Sequence, residues 1–159
     1  MPRNYRSTAE LVQPDPRFDS LLASKIINKL MLHGKKTTAQ TMFYKAIDIA
    51  AQKLGEEAQS PVDIFTRAVD NIRPSVEVRS KRVGGANYQV PREVRRNRQQ
   101  SLAIRWLVDN TRKKKGKPMY VRLAEEFVDA YKGQGASVSQ KETVHKMAEA
   151  NKAYSHFAR

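Results

Sequence analysis

The residues of this chain that could do chemistry are its arginines and lysines, and that chemistry is phosphate binding. Eight basic and only two acidic residues stand between Arg73 and Arg98. Arg79, Lys81 and Arg82 precede a Gly84-Gly85 pair, and Arg92, Arg95, Arg96 and Arg98 follow it. Arginine suits phosphate because its planar fork offers two parallel donors. A merely charged strand edge that discourages aggregation would mix Lys with Glu, whereas here arginine dominates. Further on, Arg98, Arg105 and Arg112 are spaced by seven, which on a helix puts them on one face with a drift of about 20° per step. Arg112-Lys113-Lys114-Lys115 and Lys117 carry the charge past that helix. Cations near a helix C-terminus are favourable in themselves, by about 0.3–1 kcal/mol each, but that does not call for four in a row.

The whole chain makes the same point. Its 159 residues hold thirty Lys and Arg against sixteen Asp and Glu, a formal charge of +14. Residues 73–117 contain fourteen basic and three acidic groups, while 1–72 contain ten and eight, and 118–159 six and five. A generally basic protein would spread its excess evenly. Concentration in one segment points to a polyanionic partner, above all a nucleic acid. An acidic membrane surface fits less well, because no strongly apolar face accompanies the charge.

Catalytic chemistry finds little support. His33, His145 and His156 are scattered without metal-ligand spacing, and neither a phosphate loop nor a Gly-x-Ser-x-Gly motif occurs. Glu125, Glu126 and Asp129, near Arg122, read as a solvated helix face with local ion pairs. With no cysteine, disulfides and thiolate metal sites are excluded. No catalytic residue, metal or cofactor is expected. No apolar run reaches the length of a membrane span, and no secretory signal is visible at the N-terminus.

The elements that must position the basic residues follow from periodicity. Residues 1–17, with Pro2, Pro14, Pro16 and Arg3, Arg6, Arg17, read as a flexible basic arm. Asp19 or Ser20 can cap a helix with Leu22, Ile26 and Leu30 on one face, ending near Gly34. A second helix carries Ala39, Phe43, Ala46, Ala50 and Leu54 and stops at Gly55. Ser60-Pro61 starts a third, with Val62, Phe65, Val69 and Ile72, which Arg73-Pro74 ends. The period then changes to two around Gly84-Gly85, the signature of a β-hairpin. Val76, Val78, Tyr88 and Val90 are expected to form its apolar face, and Tyr88 is a candidate stacking ring. Helix resumes near residue 97, with Leu102, Ala103, Trp106 and Leu107 packing inward, and ends at Gly116. Pro118 starts a fifth helix, with Val121, Ala124, Val128 and Tyr131 as its stripe and Phe127 alongside. A sixth follows Ser139, with Val144, Met147, Asn151 and Tyr154. The expected fold is mainly α: a six-helix single domain over 18–159 with one inserted, projecting β-hairpin at about 75–91.

These residues also carry a family resemblance. Arg73 to Pro91 (RPSVEVRSKRVGGANYQVP) closely resembles the hairpin signature of bacterial-type small-subunit ribosomal protein seven. Leu102 to Leu107 (LAIRWL), Asn28 to Lys36 (NKLMLHGKK) and Val144 to Tyr154 (VHKMAEANKAY) are similar to other signatures of that family. The resemblance covers nearly the whole chain from about residue 14. It departs in residues 92–101, where Arg95-Arg96-Asn97-Arg98-Gln99 replaces a proline and paired arginines.

The resemblance implies a non-enzymatic structural protein of the ribosome that binds the 3′ major domain of small-subunit ribosomal RNA and nucleates the head. Its hairpin would reach exit-site transfer RNA near the messenger path. It implies ribosomal-RNA contacts from Lys35, Lys36, Arg79, Arg92, Arg95, Arg96, Arg98, Arg105, Arg112, Lys113, Lys114 and Lys115. The C-terminal helix, with Lys141, His145 and Lys146, would lie near RNA and neighbouring ribosomal proteins. Lys81, Arg82, Gly84, Gly85 and Asn87 would lie nearest transfer or messenger RNA. A cytoplasmic, ribosome-bound location is expected, and the sequence fits a bacterial or an organellar source alike. Two other readings compete: a DNA-bending or transcription-regulating module using the same hairpin, and an RNA-processing enzyme.

Overall fold

The computed structural model describes residues 11–158; Pro2, Arg3 and Arg6 of the expected arm lie outside them. Six α-helices and one antiparallel hairpin follow in the order α1 (Leu21–Leu30), α2 (Lys36–Leu54), α3 (Pro61–Ile72), β1 (Val76–Val83), β2 (Ala86–Glu93), α4 (Arg96–Lys113), α5 (Met119–Tyr131) and α6 (Ala136–Ala150). A short 3-10 turn (Gly55–Glu57) follows α2, and a 3-10 segment (Lys152–Ala158) follows α6. The mainly helical fold with a hairpin between the third and fourth helices is therefore the one that the periodicity predicts.

Local chemistry explains the helix ends. The Ser20 hydroxyl accepts from the Ala23 N–H and the Ser60 hydroxyl from the Asp63 N–H, each satisfying a first-turn donor that the helix leaves unpaired. Pro61 occupies the first turn of α3, where its missing N–H costs nothing. Apolar stripes then assemble the core around Phe43, whose ring meets Phe18, Phe65 and Phe127 at centroid distances of 6.1, 5.7 and 6.1 Å. Phe43, Phe65 and Phe127 are fully buried. Together α2, α3 and α5 form the centre of the domain, and α1, α4 and α6 pack around it.

Several expectations need correction. Val62 is exposed, and Ile64 and Ala68 take the place expected for it on the buried stripe of α3. In α5 the buried face is rotated to Leu123, Ala124, Phe127, Ala130 and Tyr131, leaving Val121 and Val128 half-buried. α4 stops at Lys113, three residues before Gly116. α6 begins at Ala136, ahead of Ser139, and it buries Ser137, Val138 and Ala148, whereas Met147 and Tyr154 are exposed.

The hairpin face also differs. A two-residue turn pairs Val83 with Ala86, so each pair matches an odd with an even position. Directly opposed side chains share a face. Val76 and Val78 therefore lie opposite Glu93 and Pro91, while Val90 and Tyr88 lie opposite Arg79 and Lys81 on the other face. The four do not form one apolar surface, and both faces depend on the helical body for cover.

The end of the expected arm folds against the domain. Asp15 is buried and accepts from the Arg17 and Phe18 amides and, at 2.7 Å, from the Tyr44 hydroxyl. Burial, and then that hydrogen bond, push the Tyr44 hydroxyl up to about 12. Arg17 pairs with Asp48 at 2.6 Å. Phe43→Ala should cost about 3–5 kcal/mol, read as a lower urea midpoint with an unchanged slope; a loss under 1 kcal/mol would show that the aromatic cluster does not hold the core.

Candidate nucleic-acid interface

The hairpin base gathers four arginines. Arg79, Arg92, Arg95 and Arg98 line, with Glu77, Glu93 and Val94, a shallow depression of about 210 Å³. Glu77 fixes two of them: Oε1 meets the Arg79 guanidinium at 2.6 Å, and Oε2 meets Arg98 at 3.3 Å. Arg92, Arg95 and Arg96 are exposed and take no part in the ion pairs among the described residues. Arg95 caps α4, Arg96 is its first residue and Arg98 its third, with no acidic residue in that turn. This is the positive end of the helix dipole, where carboxylates are favoured and cations are not. α2 repeats the arrangement, with Lys35 as cap, Lys36 first, and no acid in the first turn.

At the tip, Gly84 and Gly85 have φ of +57° and +91°, the left-handed region that a two-residue hairpin turn requires. Nothing lies within 4 Å of a Cβ built at either position, so conformation, not crowding within the protein, calls for glycine. Arg82 and Asn87 face each other across the strands and are exposed. Lys81 donates to the Phe157 carbonyl oxygen at 2.8 Å. Tyr88 is half-buried, its ring covered by Tyr154 and Phe157.

Along α4 the three arginines that share a face have three different surroundings. Arg98 is held by Glu77, and Arg105 is exposed. Arg112 turns onto the last turn of α1, donating to the Lys29 and Leu30 carbonyls at 3.3 and 3.2 Å. It thus satisfies acceptors that the helix end leaves open, and a charge reversal there cannot be neutral to folding. Lys113 and Lys115 are exposed. Lys114 reaches inward to Glu126 at 2.6 Å. Lys35, Arg112 and Arg122 line one groove of about 330 Å³ with Leu30, Ala39 and Met42.

Glu126 corrects the reading of a solvated acidic face: it is fully buried. Its Oε1 accepts from the Ser137 amide at 2.9 Å and the Ser137 hydroxyl at 2.6 Å, at the start of α6, while Oε2 faces Lys114. Arg122 was also missed as an organiser; it donates to the Arg112 and Lys114 carbonyls and shapes the exit of α4. In α6, Lys141 donates to the Asn71 carbonyl at 2.8 Å, and Lys146 is exposed. His145 Nε2 accepts from the Ser75 amide at 3.2 Å, just before β1. Burial, and then the charge of Lys141, hold the imidazole below its ordinary range, the neutral state that such an acceptor needs. Among the described residues no group of three His, Asp or Glu is placed to hold a metal ion, and no helix is long and apolar enough to cross a membrane.

Comparison with known proteins decides the family. Residues 2–152 match the family described as Ribosomal protein S7p/S5e. The chain belongs to the S7p/S5e family of ribosomal proteins. Similar proteins include the small ribosomal subunit protein uS7 of Rhodopirellula baltica, 54% identical over 159 residues with 99% of each chain covered. Those of Herpetosiphon aurantiacus, 50% identical with 100% of this chain and 99% of the relative covered, and Fervidobacterium nodosum, 49% identical with 98% of each covered, match as fully. Membership of the S7p/S5e family makes this a structural, non-enzymatic ribosomal protein.

Arg112 and Arg105 should therefore part company in the isolated S7p/S5e chain. Arg112→Glu should destabilise it by about 1–3 kcal/mol, as lost charged hydrogen bonds do, and Arg105→Glu should stay within about 0.5 kcal/mol, as exposed substitutions do. Thermal melts of the two variants check this, and equal melting temperatures would dismiss the capping role.

Proposed function

We propose that this protein binds the 3′ major domain of small-subunit ribosomal RNA, nucleates assembly of the subunit head, and extends its hairpin to exit-site transfer RNA near the messenger path. The ribosomal-RNA contacts in this reading are Lys35, Lys36, Arg79, Arg92, Arg95, Arg96, Arg98, Arg105, Lys113 and Lys115. Arg112, Lys114, Lys141 and His145 support the surface from within, and Lys146 extends it along α6. Lys81, Arg82, Gly84, Gly85 and Asn87 serve the tip. Neighbouring small-subunit proteins are the further partners.

One observation carries the reading. Arg95, Arg96 and Arg98 crowd the positive end of α4 without an acidic residue in the first turn, an arrangement that disfavours the free helix and favours a bound anion. Local rules are broken in this way at functional sites. From Arg98 to Arg112 the helix runs about 21 Å, linking the hairpin base to the groove at Lys35. A polyphosphate strand of that reach exchanges many counterions at once.

Stability and affinity should respond with opposite signs. The double variant Arg95→Ala, Arg96→Ala should gain up to about 1 kcal/mol of stability per site. It should bind the RNA domain more weakly, with the slope of log affinity against log salt shallower by about 2. Filter binding at several salt concentrations measures this; an unchanged slope would remove α4 from the interface. Deleting residues 80–87 should preserve ribosomal-RNA binding and impair transfer-RNA retention in the exit site, and failure of head assembly instead would show the tip to be misassigned.

A further inference from the structure

The C-terminal segment makes contacts that neither the core nor the cationic track requires. α6 ends at Ala150, Asn151 caps it, and Lys152–Ala158 turns back against β2. There the Tyr154 and Phe157 rings lie 5.1 and 5.4 Å from the Tyr88 ring, centroid to centroid. Lys81, which pairs directly with Tyr88 across the strands, donates to the Phe157 carbonyl oxygen. None of these aromatic residues belongs to the core cluster. Tyr154 remains 37% exposed, so the cover is thin.

The chemistry of this contact is that of a nucleotide. Unpaired bases stack on exposed aromatic rings, and lysine ammonium groups take phosphate oxygens. On the hairpin a ring and an ammonium group stand side by side, and the chain's own tail supplies two aromatic rings and one oxygen to them.

We infer that residues 152–158 form an intramolecular latch that occupies, on Tyr88 and Lys81, the place of an unpaired RNA nucleotide and must be displaced when RNA binds there. The inference rests on the proposed RNA role of the hairpin. The latch begins after Asn151, where α6 gives way to 3-10 bonding and the Asn151 carbonyl accepts from the Tyr154 N–H. A ring pair of this kind shifts an equilibrium by roughly 2- to 10-fold, and a state that is competent for only part of the time lowers apparent affinity by that fraction. The latch therefore weakens casual single-strand contacts in the free protein while leaving the ribosomal-RNA track on α4 untouched.

Two RNA probes test the full-length protein: a ten-residue oligouridylate, and the folded 3′ major domain of small-subunit ribosomal RNA. Phe157→Ala and, separately, Tyr154→Ala should bind the oligouridylate about 3- to 10-fold more tightly than the unmodified chain, and adding Tyr88→Ala should abolish the gain. Affinity for the folded domain should be the same in all of them. Oligouridylate affinity that is unchanged or weaker in both single variants overturns the latch, since the tail would then be a bystander or part of the binding surface. Failure of the unmodified chain to bind the folded domain overturns instead the functional reading beneath it.

Discussion

Positive charge that awaits a partner has to be tolerated until the partner arrives. Fourteen basic groups against three acidic ones in residues 73–117 repel one another, and the fold uses carboxylates inside and outside that segment to restrain some of them. Glu77 holds Arg79 and Arg98 together. Asp109, the only acid within α4, pairs with Lys29 of α1. Glu125 takes Lys117 at 2.5 Å, with Lys53 near, and these lysines depress its carboxyl below the usual range. Cations left exposed include those of the hairpin base and tip, Arg105 in the middle of α4, Lys113 and Lys115 at its end, and the N-termini of α2 and α4. Exposure there costs little in water, and a bound polyanion returns much.

Helices were legible because burial imposes a period on them. Ala39, Phe43, Ala46, Ala50 and Leu54 fall on one stripe and are all buried, and Ser60-Pro61 announces the start of α3 by chemistry alone. Two-residue turn geometry was equally readable at Gly84-Gly85. What periodicity did not disclose was parity. Alternation in each strand was correct, but joining the strands through two residues sends Val78 and Tyr88 to opposite faces. The rotated stripe of α5 has a related cause: Leu123 and Ala130 are buried by neighbours that its own sequence does not name.

The roles of single cations were less legible than their positions. Spacing by seven puts Arg105 and Arg112 on one face, yet only the end of α1 decides that Arg112 has carbonyls to cap. Glu126 looked solvated for the same reason. Its burial depends on Ser137, eleven residues later, bringing the start of α6 over it. Lys114 completes the site, so one cation in a run of four is half-buried against Glu126 while its neighbours Lys113 and Lys115 are exposed. An ion pair with one member buried gives little net stability, but losing Lys114 would leave the buried Glu126 carboxylate without its charge partner. It ties the start of the lysine-rich loop to the α5–α6 corner.

The two strands of the hairpin have eight residues each and meet at a turn of the minimum length. An arm built in this way can change its reach only in quantised steps. One residue added to each strand lengthens it by about 3.3 Å but inverts every side chain beyond the insertion, sending Arg82 and Asn87 to the opposite surface. Only paired additions of two, about 7 Å at a time, keep the inner and outer surfaces as they are. An arm of this kind can therefore change in length only by jumps of about 7 Å, and its turn must keep residues that accept positive φ.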